Sequence, residues 1–263
     1  VIDTHCHLSF SIFDGKVADE IALMRQAGVT QAISISTTST DARKAQAIAN
    51  AHPEVFFSSG VHPLYSHERV DWGDLHDAAT DPRCVAWGEL GLDRHHKKPA
   101  FELQREVLIE QLDRIGRWAR DGLELPIVIH CREAFAELPP LLKASGLPME
   151  RMVFHCFTGT PDDARAVLDL GAWISFTGVV TYANAPLIAE AAKLVPRDRI
   201  MVETDAPFLS PEPHRGEFPN HAAHVPLVAS ALARIRGEPE QEFFPQLDAN
   251  ARRFFSLPPP AVA

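Results

Sequence analysis

Positive charge is scarce in this 263-residue chain: 25 lysines and arginines face 35 aspartates and glutamates, for a net charge of −10 with histidine neutral. A protein so charged repels nucleic acid as a whole, which argues against a long basic groove. A polyanionic substrate would have to be held locally, by metals and a few basic side chains. Cysteine is scarce as well. Cys6, Cys84, Cys131 and Cys156 include no Cys-x-x-Cys pair of the zinc or thioredoxin kind. Three of the four directly follow a histidine. If those histidines face into a barrel, the cysteines face outward and pack in the helical layer as small, reduced apolar groups. No apolar run approaches the roughly 20 residues of a membrane helix, and no basic, apolar signal segment precedes the first strand, so a cytoplasmic protein without membrane association is expected. There is no linker, no composition break and no low-complexity stretch apart from Pro258-Pro259-Pro260. With 46% hydrophobic and 23% charged residues, the chain is that of a globular protein able to bury a large core.

What is present is an alternation. Short apolar runs end strand-like at Cys6, Ser36, Val61, Leu90, Cys131, Cys156, Gly178 and Glu203. Between them, apolar residues recur at helical spacing over 15–28, 40–51, 68–80, 101–120, 134–145, 162–170 and 184–195, with two more helices over 222–235 and 240–255. Pro-Ile-Val-Ile-His-Cys at 126–131 has the β-branched character of a strand buried on both faces. Eight strands separated by helices predict an α/β fold, a single-domain (β/α)8 TIM barrel over residues 1–263. A doubly wound sheet is the second choice.

The ionisable residues fall at strand ends. His5 and His7 end the first strand, His62 the third, Glu89 the fourth, His130 the fifth, His155 the sixth and Asp205 the eighth. Residues two apart on a strand share a face, so His5 and His7 present two imidazoles together while Cys6 turns away. An isolated His-x-His is more often a pair of surface histidines. In a barrel, however, all these strand ends lie on the one face where loops build active sites. Imidazoles and carboxylates gathered there suit divalent metals, with zinc, manganese or magnesium all compatible.

The motifs Asp3-Thr4-His5-Cys6-His7, Gly60-Val61-His62-Pro63, Gly88-Glu89-Leu90-Gly91-Leu92-Asp93, His130-Cys131-Arg132, His155-Cys156-Phe157-Thr158-Gly159 and Glu203-Thr204-Asp205-Ala206-Pro207 together resemble the TatD-type metal-dependent deoxyribonucleases of the amidohydrolase-like barrels. The resemblance spans essentially the whole chain. It implies two divalent ions, one held by His5, His7, Glu89 and Asp205 and the other by Glu89, His130 and His155, with Glu89 bridging. The implied activity is hydrolysis of DNA phosphodiesters, as a 3′-to-5′ exonuclease. Two cations suit that reaction because they neutralise phosphoryl oxygens and activate water. Asp205 would orient the attacking water and accept its proton. His62 would donate to a phosphate oxygen, with Arg132 and Arg215 as further phosphate contacts. Glu203, sharing a strand side with Asp205, would support the ligands from behind. Three departures from the family bear on substrate preference: Cys131-Arg132-Glu133 for Ser-Arg-Asp, the basic Asp93-Arg94-His95-His96, and Asn220-His221-Ala222 for Asn-x-Pro. A small ester, amide or phosphoester is the alternative substrate, and a metal-binding scaffold without turnover the alternative of another class. DNA is the expected partner and the monomer the expected state.

Overall fold

In the computed structural model, which describes residues 1–259, strands and helices alternate, with two helices after the last strand. The strands are β1 Ile2–Cys6, β2 Gln31–Ser34, β3 Val55–Ser59, β4 Cys84–Asp93, β5 Ile127–Arg132, β6 Met152–Phe154, β7 Trp173–Phe176 and β8 Ile200–Val202. The helices are α1 Val17–Gln26, α2 Ser39–Ala51, α3 Trp72–Ala79, α4 Phe101–Arg120, α5 Leu138–Ala144, α6 Pro161–Asp169, α7 Pro186–Leu194, α8 Val225–Arg236 and α9 Glu240–Phe255. Each strand pairs in parallel with the next, from β1 to β8. The ring closes through a bridge between Cys6 and Ala206, where the Asp205 amide donates to the His5 carbonyl at 2.8 Å and the His7 amide to the Ala206 carbonyl at 2.7 Å. This is the (β/α)8 barrel. Pro260 and the three residues after it lie outside the described residues. Among those described, no helix is long and apolar enough to cross a membrane.

The sequence places the core in two layers. Outward-facing strand residues such as Cys6, Phe57, Trp87, Ile129 and Phe154 pack against the helices. The first inward-facing residues of the strands, among them Ile2, Ile33, Phe56, Val128 and Met201, fill the barrel interior with Phe254, Phe255 and Leu257 from the end of α9 and just beyond it. The apolar plug therefore occupies the N-terminal ends of the strands, leaving the opposite mouth for polar residues. Asp3 fastens the closing seam. Its Oδ1 accepts the amides of Thr204 (3.0 Å) and His5 (3.2 Å), and its Oδ2 accepts the Thr204 hydroxyl (2.6 Å). Burial pushes its carboxyl up to about 8 in spite of those bonds.

Three elements differ most from the sequence expectation. The helix expected over 68–80 begins only at Trp72, where the Asp71 side chain accepts the Asp74 amide as its cap. The helix expected over 134–145 begins only at Leu138, because Pro139 and Pro140 lack amide hydrogens and fit only in the first turn of a helix. The fourth strand runs past Leu90 to Asp93, pairing Gly91, Leu92 and Asp93 with His130, Cys131 and Arg132. Truncating the plug with Phe255→Ala is expected to lower stability by about 3–5 kcal/mol, read from urea unfolding.

Candidate metal centre

At the C-terminal mouth of the barrel, Glu89 sits at the centre of a ring of imidazoles. Its two oxygens face two different groups. Oε1 lies 3.7 Å from His5 Nε2 and 3.6 Å from His7 Nε2, while Oε2 lies 3.2 Å from His130 Nδ1 and 2.6 Å from His155 Nε2. Asp205 Oδ1 completes the first group, at 3.5 Å from His5 Nε2 and 3.3 Å from His7 Nε2. The ligand atoms of His5, His7 and Asp205 lie close enough together to hold an ion, as do those of His62, Glu89 and His130 and those of His5, His155 and Glu203.

The outer nitrogens of several rings decide how the inner ones face. His7 Nδ1 donates to the Ile35 carbonyl at 2.9 Å, so in the neutral ring Nε2 carries a lone pair into the centre. His130 Nε2 faces Asp93 Oδ2 at 3.3 Å, and His155 Nδ1 faces Glu203 Oε1 at 3.4 Å. At His130 a carboxylate behind the ring can fix the tautomer in this way, whereas His155 Nδ1 meets Glu203 only as a charge neighbour, without a hydrogen bond. Glu203 is itself held by the Cys156 amide at 2.6 Å and the Ser175 hydroxyl at 2.7 Å. Imidazole nitrogens and carboxylate oxygens of the expected ligands thus converge at separations of 2.6 to 3.7 Å, a donor set that fits divalent cations.

His62 is built differently. Its Nδ1 accepts the Leu64 amide at 3.0 Å, so a neutral His62 carries its proton on Nε2, facing the site as a donor rather than a ligand. Burial first, and then the neighbouring histidines, push its pKa down to about 3 despite Glu89, so the ring is neutral. Burial disfavours charge on Glu89 too, but His155, His62 and His5 outweigh it and hold the carboxyl well below the usual range. In Asp205, burial is likewise outweighed by the bond to His7 and the charges of His5 and His7. The counter-shift falls on His155, raised well above its ordinary value by Glu89 and Glu203 against burial.

The centre forms one wall of a cavity of about 480 Å³, lined also by Phe10, Tyr65, Arg132 and Phe208. Five of the six expected ligands, His7, Glu89, His130, His155 and Asp205, line it together with His62 and Arg132, while His5 and Glu203 lie fully buried behind them. Arg215 does not line the cavity: its guanidinium lies over the Tyr182 ring at 4.1 Å, with Glu212 3.9 Å away. Cys156 departs from the outward packing expected of it. Its left-handed backbone, φ 42°, turns it toward the cavity, with Sγ 3.5 Å from Thr177 Oγ1. Asp93, behind His130, joins the site without having been expected there. It lies four residues after Glu89 on the same strand, hence on the same side, and that spacing is the signal the sequence offers for it.

Gly91 makes the contact between Asp93 and His130 possible. With φ at 154°, its α-carbon lies so close to β5 that a Cβ would overlap the His130 carbonyl. Beyond β8, the loop that carries Arg215 is anchored by buried Asn220, whose Nδ2 donates to the carbonyls of Thr204 (3.1 Å) and Phe208 (2.6 Å). In this loop His214 stacks on His224 at 4.4 Å, and His221 meets His224 edge-on at 5.5 Å.

A model of TatD-related DNases matches residues 2–256 of the chain. The uncharacterized metal-dependent hydrolase YcfH of Escherichia coli is 34% identical over 260 residues, covering 98% of this chain and 96% of that protein. The 3′-5′ ssDNA/RNA exonuclease TatD of Pantoea vagans is 34% identical over 243 residues, covering 89% of this chain and 90% of its own. The crystal structure of YjjV, a TatD homologue from Escherichia coli, superposes with a TM-score of 0.89 at 31% identity over 98% of both chains.

Gly91→Ala is expected to displace His130 and lower the metal content of purified protein, measured by elemental analysis beside the wild type. A second prediction concerns pH. Burial, His214 and His221 push His224 down to about 4 from 6.5, against Glu217. Between those values the unfolded chain binds the proton that the folded His224 refuses, so this residue's contribution to stability falls as pH drops from about 6.5 to about 4. The melting temperature of wild type relative to His224→Gln should decline across that window and level off below it.

Proposed function

The chain belongs to the family of TatD-related DNases, and on that premise we propose that it is a two-metal nuclease removing nucleotides from the 3′ end of DNA. The carrying observation is Glu89, whose two oxygens each face a separate group of histidine nitrogens at distances a shared cation would close. His5, His7, Asp205 and Glu89 would hold one divalent ion, and Glu89, His130 and His155 the other. Bound there, the ions would neutralise the phosphoryl oxygens, acidify water and stabilise the departing oxygen. The Pantoea vagans relative, a 3′-5′ ssDNA/RNA exonuclease, supports both the substrate and the direction.

The protein's own groups have the remaining work. Asp205 is tied to β1 through its amide but leaves part of its carboxylate open to the cavity, where it can orient the attacking water and accept its proton. His62, kept neutral with its proton on Nε2, donates to a non-bridging phosphate oxygen. Arg132 on the cavity wall offers a forked pair of donors to the same phosphate. Arg215 reaches a phosphate only by leaving Tyr182, which makes it the weaker of the two arginine contacts.

The test is cleavage of end-labelled single-stranded DNA by metal-stripped protein, with magnesium, manganese or zinc restored. A ladder receding from the 3′ end is expected, abolished by chelator and by Glu89→Gln. Asp205→Asn should lose about 10²- to 10⁴-fold in rate, the range of a general base. Turnover of small phosphoesters with intact DNA would replace the nuclease by a small-substrate hydrolase. Metal binding with an Asp205→Asn variant indistinguishable from wild type would leave a scaffold.

A further inference from the structure

Two of the large apolar side chains exposed on the surface stand together beside the centre. Phe208 is 44% exposed and Phe218 is 62% exposed. Their rings lie 6.3 Å apart at 36°, and Phe208 meets Phe10 edge-on at 6.1 Å. Phe10 in turn stacks on His7 at 4.5 Å. An aromatic row therefore leads from a candidate metal ligand, past the cavity wall, to open surface. The backbone on either side of the rings is tied down: the Phe208 amide donates to the Asp205 carbonyl at 2.9 Å, its carbonyl takes the buried Asn220 side chain, and Glu217, next to Phe218, gives its carbonyl to the Ser210 hydroxyl at 2.7 Å.

With the backbone around them held, the two rings stand side by side in solvent next to the cavity, and adjoining exposed apolar faces of this kind mark a place for an occupant. Charge does not supply the attraction here. The Glu217 carboxylate beside Phe218 pairs with His214 at 3.0 Å, and the nearby Arg215 is spent on Tyr182 and Glu212. Two rings are also far too small for a stable contact between copies of the chain, which buries on the order of 1,200–2,000 Å². Flat, uncharged aromatic faces do match unpaired nucleobases, which stack on them with little regard to sequence.

We propose that Phe208 and Phe218 form a stacking ledge for the unpaired bases of a strand whose terminal phosphodiester lies at the His5–His7–Glu89–Asp205 group. This rests on the nuclease reading and specifies how that site takes its substrate: base faces outside the cavity, phosphate inside it. A fully paired end presents no free base face to the ledge, so strands are favoured over duplexes.

The test compares a fluorescent oligothymidylate with the same strand made abasic at its two 3′-terminal positions, using magnesium-loaded protein. Binding is read by anisotropy on strands with phosphorothioate ends, and turnover on natural ones. Wild type should bind the base-bearing strand about tenfold more tightly, within the range for one stacked base. Phe208→Ala and Phe218→Ala should reduce that preference to less than twofold, and Phe218→Trp should keep it. Equal losses on both strands, or none, would overturn the ledge. So would a ring-dependent change in sedimentation without any base preference, which would assign the face to a second copy. Turnover from the 3′ end without ring-dependent preference removes the ledge and leaves the nuclease. Ring-dependent preference without turnover does the reverse.

Discussion

A carboxylate buried among imidazoles is the constraint on which the mouth of this barrel depends. Glu89 is almost wholly removed from water, and a buried charge survives only when paired and hydrogen-bonded. Five histidines from β1, β3, β5 and β6 or the turns just after them supply the pairing, so the ends of four strands must meet around one side chain. The backbone gives way to allow it. Gly60 and Gly88 lie against each other, and Gly88 and Gly91 lie against β5, at approaches no Cβ would tolerate. Strand β4 is the longest in the barrel because both of its carboxylates, Glu89 and Asp93, must reach the same neighbours.

The same economy governs closure. β8 is only three residues long, and the seam to β1 relies on the residues just beyond it: Thr204 and Asp205 bond to Asp3 and His5, and Ala206 to His7. The backbone bonds that shut the barrel therefore belong to the residues that aim His5, His7 and Asp205 into the centre. Stability and site geometry are coupled there, whereas the plug formed by α9 at the opposite end fills the barrel without touching the site. That division matches the general arrangement of such barrels, with packing at the N-terminal ends of the strands and chemistry at the C-terminal ends.

Most of this is legible in the sequence because two periods coincide in it. The βα alternation predicts eight parallel strands, and strand parity predicts that His5 and His7 share a face while Cys6 turns outward, as it does. Parity fails at Cys156, where the strand has already ended and a left-handed residue reverses the expected direction. Parity from Glu89 would also place Asp93 on the same side, but the apolar run that marks the strand stops at Leu90, three residues short of it. Only the close approach permitted by Gly91 extends the strand far enough to bring Asp93 to His130. Arg215 illustrates another limit: proximity to β8 in sequence does not reveal the Tyr182 ring, which is 33 residues away and captures its guanidinium. Which residues are exposed in a long loop depends on its anchors, here Asn220, and no local pattern around Phe208 or Phe218 announces them.

For an acidic protein, the proposed action on a polyanion poses an apparent contradiction, and on that proposal the layout of the mouth resolves it. A net charge of −10 withholds the long-range attraction by which basic proteins gather nucleic acid. The buried carboxylates of Glu89 and Glu203 and the partly buried one of Asp205, set among imidazoles, are what suit the centre to a cation. On the nuclease reading, phosphate is then attracted only within the short reach of that centre, of His62 and of Arg132, while affinity for the rest of the strand falls to uncharged aromatic surface. Such a protein has little hold on the interior of a duplex, whose bases are stacked on one another and whose backbone meets an acidic surface. A frayed or single-stranded end satisfies both requirements at once, one phosphate for the cavity and free base faces beside it. On the nuclease reading, the physical division of labour between a buried charged centre and an exposed apolar row thus favours strand ends as the place of action.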